Sequence, residues 1–358
     1  MADRVTIQDI ADSLGISRNT VSKAINNTGI LADSTKEKVI KRAVEMGYKQ
    51  FSNIALNDSD KLELNFSHFT EAKEISLFTT VFLANHQFAS KVLDIFQREL
   101  AQSGHYLTIH RILDEEIDNL KLPLSFVKEK STGIICFEMF NHEYSRMICD
   151  LNIPTLFVDS PVRGLHEPLK SDCLYMDNQT QIFAFVKEMV RIGRKKIGFI
   201  GEYMHCQSFF ERYMAYKNAI YLLELQCPEE YCIIGNKKDS QNPSSTDYQE
   251  YLTEHILRIN ELPDVFICAN DSVAIDVLQV LKKLGISVPD DIYICGFDDS
   301  SESQTVAPSL TTIHICSRVI AKTAIHLLVS RINDPSLNYR TVYTDTNLVY
   351  RESTGQFT

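Results

Sequence analysis

From Glu74 onward, short apolar runs alternate with amphipathic stretches of helical length, and this alternation limits the fold more than any other feature of the chain. Residues 75–81 read as a strand, 89–103 as an amphipathic helix ending at Gly104, and 106–112 as the next strand. A helix around 115–130, GIICF at 133–137, another helix and TLFVD at 155–159 complete a first series. A second series runs through helix 179–193, KIGFIG at 196–201, helix 209–225, YCIIG at 231–235, helix 247–260, DVFICA at 264–269, helix 272–284 and IYICGF at 292–297, with a last helix at 317–332. Strands this short and apolar, joined by helical crossovers, predict parallel sheets covered on both faces in two Rossmann-like halves. Open sheets of this kind bind ligands outside the carboxyl ends of their strands. Polar residues at those ends are therefore candidates: Asp159, Asn270, Asp271, Asp298 and Asp299, with Arg212 opening the helix after KIGFIG. A single Asp after a strand is commonly a helix N-cap, which leaves Asp271 and Asp299 open to that reading. Carboxylate, amide and guanidinium converging on one cleft can hold several hydroxyls in fixed directions, which suits a carbohydrate or similar polyol.

Ahead of this body lies a stretch of another kind, 6–48, which reads as three short helices with two turns. Thr6 is an N-cap with Asp9 three residues on, Ile7, Ile10, Ala11 and Leu14 follow helical spacing, and Gly15 suits a left-handed C-terminal residue. Ser17 caps a second helix. At 100° per residue, Arg18, Asn19, Ser22, Lys23 and Asn26 share an arc of about 140°, while Val21, Ala24 and Ile25 take about 100° on the other side. Ser34 and Glu37 form a capping box for a third helix, with Val39, Ile40 and Ala43 turned inward. Arg and Lys can grip guanine edges or phosphates, Asn can pair with adenine and Ser reaches phosphate oxygens, so the arc suits a helix-turn-helix reader of DNA.

Charge supports this division of the chain. The net charge is −11, yet residues 1–50 carry eight Lys and Arg against six Asp and Glu, so the remainder carries −13. A mildly basic head on an acidic body binds DNA only through the head, and the few phosphates that one head reaches favour binding as a dimer. No apolar signal segment follows Met1 and no stretch of 18 apolar residues occurs, from which a cytoplasmic protein is expected. Nine cysteines lack framework spacing and are expected to be reduced. Cys227 and Cys232 come closest to a pair but read as packing thiols rather than a metal site. The phosphate-loop, nucleophile-elbow and zinc-protease motifs are absent from the sequence, so neither an enzyme nor a cofactor is expected.

The motifs of the head, T-x-x-D-I-A, then G-I-S-x-x-T-V-S-K, then a third helix ending in Gly47-Tyr48, resemble the N-terminal domain of the lactose-repressor (LacI/GalR) family of transcription regulators. The resemblance continues through Met176-Asp177-Asn178, Glu211-Arg212-x-x-Ala215-Tyr216, Pro263-Asp264, Asn270-Asp271, Val288-Pro289, Gly296-Phe297-Asp298-Asp299, Pro308-x-Leu310-Thr311-Thr312-Ile313 and the closing Leu348-Val349-x-Arg351-x-Ser353-Thr354-Gly355. It implies a small all-α helix-turn-helix head and an α/β body of two Rossmann-like subdomains with parallel sheets, like type I periplasmic binding proteins. The expected domains are 1–50 for DNA binding, 51–73 for a linker, and 74–358 for effector binding and dimerisation. Within the last, an N-subdomain of about 74–160 plus 316–335 and a C-subdomain of about 161–315 plus 340–358 are expected.

The resemblance also implies site residues. Arg18, Asn19 and Lys23 are the base-reading positions, and Ser17, Thr20, Ser22 and Asn26 sit mainly on the DNA backbone, with Thr6 completing the head's set. In the linker, Leu56 within Ile54-Ala55-Leu56 could wedge between base pairs as a hinge helix does. The family's proline after Gly-Tyr is replaced here by Lys49-Gln50, however, and a plain connector stays open. Arg212, Asn270, Asp298 and then Asp159 are the expected effector ligands, with His86, Phe88, Phe137, Met176 and Ile315 as walls. The chain holds no tryptophan, and Phe137 and Ile315 stand where polar residues are usual, which makes the pocket more apolar than most sugar sites. A homodimeric repressor on a pseudo-palindromic operator, answering to a sugar, is the expected function. A nucleobase, nucleoside or uncharged aglycone is the alternative effector, and a solute-binding protein without regulatory role is the reading from another class.

Overall fold

The computed structural model describes residues 6–26, 73–80, 87–235 and 245–355, together with positions 35, 38, 39, 42, 43 and 46. The chain divides into two compact units, Met1–Thr70 and Glu71–Thr358. Each is described by itself.

In the first unit, α1 (Ile7–Leu14) opens with the expected capping box: the Thr6 hydroxyl accepts the Asp9 N–H at 3.3 Å, and the Thr6 N–H donates to the Asp9 carboxylate at 2.7 Å. Gly15 at φ +65° closes the helix with its N–H on the Ala11 and Asp12 carbonyls. After Ser17, whose hydroxyl accepts the Thr20 N–H, comes α2 (Arg18–Asn26). Ile10, Ala11, Val21, Ala24, Val39 and Ala43 form a small core that removes nearly all their surface from water. Val39 and Ala43, four residues apart, supply a third apolar face to it. The Ser34–Glu37 capping box, Ile40, the linker with Ile54, Ala55 and Leu56, and His86 lie outside the described residues, as do the side chains of Ile25, Asn26 and Phe88.

The second unit is the doubly wound α/β body. Its first sheet contains β1 (Lys73–Thr79), β2 (His105–Arg111), β3 (Ser131–Phe137), β4 (Thr155–Val158), β5 (Asp172–Met176) and β11 (Thr341–Thr344), all parallel, in the order β11-β5-β4-β3-β1-β2. On one face pack α3 (Gln87–Gln102) and α11 (Ser317–Asn333), through Val92, Phe96, Leu100, Ile320, Ala324 and Leu328. On the other lies α5 (His142–Cys149), through Tyr144 and Ile148. A short helix, α4 (Asp114–Asp118), follows β2.

The second sheet has the order β7-β6-β8-β9, from β6 (Ile197–Ile200), β7 (Cys232–Ile233), β8 (Val265–Cys268) and β9 (Tyr293–Cys295), again parallel. Here α6 (Thr180–Arg191) and α7 (Gln207–Leu222) cover one face, and α8 (Thr246–Leu257) and α9 (Asp271–Lys283) the other. After α10 (Ser301–Thr305), β10 (Thr312–Ile315) pairs antiparallel with β12 (Thr346–Val349), and bridges from Cys295 to Thr311 and from Asp298 to His314 join this ribbon to the second sheet.

Three expectations are corrected. The helix around 115–130 is only the five residues of α4, because Pro123 lacks an N–H and bars its predecessor from helical geometry. The first half extends past residue 160, since β5 hydrogen-bonds to β4. Residues 341–344 also belong to it, since β11 pairs with β5, so the last crossing falls between Thr344 and Thr346. A buried carboxylate explains both shifts. Asp172, 1% exposed, accepts from Arg331 of α11 at 2.8 and 2.9 Å and from the N–H and Nη2 of Arg340 at 2.7 and 2.6 Å, pinning helix and strand to β5. All nine cysteines are free thiols. Among the described residues no group of three or more His, Cys, Asp or Glu is arranged to hold a metal, and no helix is long and apolar enough to cross a membrane.

Candidate nucleic-acid interface and ligand cleft

In the head, α2 separates its residues as its periodicity requires. Val21 and Ala24 are buried, Arg18, Asn19 and Lys23 are exposed, and Thr20 and Ser22 are half-buried. Two guanidinium or ammonium groups and one amide therefore project from a single short helix. Ser17 and Thr20 are tied to each other, their hydroxyls 2.8 Å apart, so both help to fix the start of α2. Thr6 is engaged in capping α1.

In the body, the cleft is built at the carboxyl ends of β3, β4, β8 and β9. At three of these ends a residue past the strand has positive φ: Glu138 at +54° and Asp159 at +60°, directly after β3 and β4, and Asp298 at +115°, three residues after β9, followed by Asp299 at +55°. Positive φ outside glycine costs on the order of 1–3 kcal/mol and persists where surrounding contacts enforce it. Here those contacts reach between the halves. Asp159 Oδ1 accepts the N–H of Ser160 at 2.8 Å and that of Ser208, the second residue of α7, at 3.2 Å. One of α7's unsatisfied donors is thus capped by a carboxylate from the first sheet.

Arg212, 3% exposed, lies one turn further along α7. Its Nε donates to Asn178 Oδ1 at 2.9 Å and its Nη1 to the Ala269 carbonyl at the end of β8 at 2.7 Å. Its guanidinium carbon stands 3.5 Å from the Phe297 ring centroid, and Nη1 is 3.6 Å from Asp298 Oδ1. Beside it, the buried Glu211 carboxylate accepts from Asn178 Nδ2 at 2.8 Å, Gln207 Nε2 at 2.9 Å and the Tyr343 hydroxyl at 2.7 Å. Asn178, Glu211 and Tyr343 thus hold the Arg212 helix against β11 of the other half.

Asp298 leaves 32% of its side-chain surface open, yet protein atoms surround it. That enclosure pushes its carboxyl up to about 8, against the pull of Arg212 and together with the charges of Asp271, Glu138 and Asp159. Enclosure and Asp159 likewise raise Glu138 to about 7. Asn270 is the N-cap of α9, its Oδ1 accepting the Val273 N–H at 3.0 Å, which leaves its NH₂ to face a ligand. Asp271, 1% exposed, accepts from the Thr312 hydroxyl at 2.6 Å and the Ser300 N–H at 2.7 Å. Gly296 makes this possible, because a Cβ there would collide with the Asp271 carboxylate. Asp299 pairs with Arg351 and with His314 Nδ1, so these two aspartates hold the ribbon rather than face the cleft.

The expected walls Phe137, Met176 and Ile315 are only 3%, 6% and 4% exposed and lie in the main core, where they back the cleft without opening on it. Partly open rings form its rim instead, Phe140 and Phe209 half-buried and His205 exposed. Phe140, after β3, meets His205, after β6, edge-on at 4.9 Å between centroids, and His205 stands 5.3 Å from Phe209. Sequence reasoning did not single out Glu138, Asn178, Glu211, Tyr343 or Phe140 as site residues. Asn178 and Glu211 do fall inside the two quoted motifs that bracket them. A groove of about 400 Å³ between α3 and α11, lined by Glu99, Ser103, His326 and Val329 among others, shares no residue with the cleft.

Comparison with known proteins assigns a family model to each of the two parts. Residues 6–50 match the bacterial regulatory proteins of the lacI family, and residues 186–354 match the periplasmic binding protein-like domain. The HTH-type transcriptional repressor PurR of Vibrio atlanticus (strain LGP32) is 25% identical over 354 residues, 97% of this chain and 98% of that protein. Two solved structures share the fold. A complex of the transcriptional regulator CelR with cellobiose has a TM-score of 0.65 at 19% identity, covering 98% of this chain and 100% of that one. The lac repressor dimer bound to operator and the anti-inducer ONPF has a TM-score of 0.64 at 18% identity, covering 99% and 100%.

Proposed function

Since the chain is a member of the lacI family of bacterial regulatory proteins, we propose that it represses transcription from a pseudo-palindromic operator and that a sugar in the body's cleft sets its affinity for that operator. Arg18, Asn19 and Lys23 read bases, and Ser17, Thr20, Ser22 and Asn26 contact the DNA backbone. Two heads of a homodimer, acting on chromosomal DNA in the cytoplasm, supply the phosphate contacts that a single head lacks. Cellobiose in the cleft-bearing CelR fold and operator DNA on the lac repressor dimer support both assignments.

The observation that carries the effector reading is the Arg212 constellation. A single buried guanidinium is bonded to the Ala269 carbonyl after β8 and to Asn178 between β5 and α6, faces Asp298 across 3.6 Å, and sits beside Glu211, whose Tyr343 bond leads to the other half. A polyol that bonds Asp298, Asn270 and Arg212 takes hold of one half, and contacts to Asp159 and Glu138 take hold of the other. Its differential affinity for two cleft angles is what can shift the regulator between states. A hundredfold difference corresponds to about 2.7 kcal/mol of coupling, which suffices for regulation. The aromatic rim of Phe140, His205 and Phe209 favours a second reading, a nucleobase or nucleoside stacked between rings. Thermal stabilisation against mono- and disaccharides, nucleobases and nucleosides separates the two. A sugar shift lost in Arg212→Ala supports the first, and a shift with bases alone overturns it.

A further inference from the structure

The cleft is unbalanced in charge. Glu138, Asp159 and Asp298 converge on it from three strand ends, against the single guanidinium of Arg212. Asp159 is engaged with the N-terminus of α7 and Asp298 faces Arg212, while Arg212 itself is bonded to Asn178 and Ala269 and stacked on Phe297. The Glu138 carboxylate differs from these. It is only partly exposed, and it makes no hydrogen bond or ion pair with any described residue. Its backbone carbonyl accepts the Thr80 hydroxyl at 2.8 Å. A strained turn thus holds this carboxylate, unpaired among the described residues, within electrostatic reach of both Asp159 and Asp298. The cost of enclosing an unpaired carboxylate is relieved when a cationic donor arrives.

We propose that the effector carries an ammonium group among its hydroxyls, as an amino sugar does, and that Glu138 is the residue that selects it. This rests on the reading that the cleft holds a polyol. Acidic sugars are excluded by the same carboxyls, because an anion would add its repulsion to the burial and like charges that already raise Glu138 and Asp298 and to the burial that raises Asp159, with the neighbouring guanidinium already bonded.

The test is calorimetric titration of the full-length protein at neutral pH. The probes are amino sugars, each paired with its neutral parent (glucosamine with glucose, galactosamine with galactose, mannosamine with mannose), plus glucuronate and glucose 6-phosphate. At least one amino sugar should bind about tenfold or more tightly than its parent, the acidic sugars should not bind, and Glu138→Gln should bring the ratio of the two affinities close to one while the melting temperature does not fall. A neutral parent binding as tightly as its amino sugar, or a bound acidic sugar, overturns the charge selection and leaves the carbohydrate reading standing. Binding by none of these pyranoses overturns the selection of an amino sugar, and the mono- and disaccharide panel above then decides the carbohydrate reading by itself.

Discussion

The hydroxyl of Tyr343 donates to Glu211 Oε1 at 2.7 Å, tying the edge strand β11 of the first sheet to the helix that carries Arg212. Because Glu211 also accepts from Asn178 and Gln207, this carboxylate is a junction between the halves rather than a ligand. Tyr343→Phe removes one donor and leaves two. We expect about 1 kcal/mol of lost body stability by chemical denaturation. We also expect effector binding to persist while its effect on operator affinity changes. An unaltered effector response would mean that this bond does not join the moving parts.

Arg212→Ala should behave differently, because it removes a group expected to touch the ligand. Effector affinity should fall by about a hundredfold or more, since the deletion also leaves Asn178 Oδ1 and the Ala269 carbonyl without their donor. Operator binding by the unliganded protein should remain. Measurement of both affinities on one preparation decides this, and a retained effector response would show that the ligand sits elsewhere.

Glu138 and Asp298 set the pH dependence of the body. Their folded-state values of about 7 and about 8 lie above the ordinary carboxylate value of about 4, so protons bind more tightly to the folded chain. The stability they contribute is fully present at acid pH and is lost as pH rises through 7 and 8. Asp172 and Asp299, held low despite their burial by Arg331, Arg340 and Arg351, act in the opposite sense and lose their contribution as pH falls. Denaturant midpoints should therefore decline between about pH 5 and 8, and Glu138→Gln and Asp298→Asn should each flatten the decline. An undiminished slope in both variants would contradict the assignment.

Thr6→Ala deletes the oxygen that caps α1 and should cost the head about 1 kcal/mol. Since Met1–Thr70 and Glu71–Thr358 are separate compact units, the body's unfolding transition should stay in place. Hydrogen exchange, read segment by segment, distinguishes this from a loss spread over the whole chain.

How far the sequence reveals this molecule depends on how locally each element is determined. The capping box of α1, the left-handed Gly15 and the strands of both sheets that carry apolar runs, such as 133–137 and 265–268, were legible because neighbours in sequence decide them. The strands Asp172–Met176 and Thr341–Thr344 were not. Each is five residues or fewer and opens on a polar residue, and Arg331 and Arg340, reaching Asp172 from far along the chain, fix their pairing. At the cleft, a residue type after a strand could be recognised, but whether it caps a helix or faces a ligand could not. Asp159 does the first and is positioned for the second, whereas Asp271 and Asp299 are spent on the ribbon. Glu138 escaped notice because nothing local marks a glutamate whose turn is left-handed and whose neighbours come from other strands.

The decisive measurement is selection of DNA from a random pool by the full-length protein, followed by titration of the enriched duplex with and without the sugar that stabilises the cleft, at a stated salt concentration. We expect a pseudo-palindromic sequence, discrimination weakened by about 1–3 kcal/mol in Arg18→Ala, and an operator affinity that moves about tenfold or more with the sugar in the wild type but not in Arg212→Ala. Binding that ignores sequence, or an operator affinity indifferent to every cleft ligand, would contradict a ligand-controlled repressor.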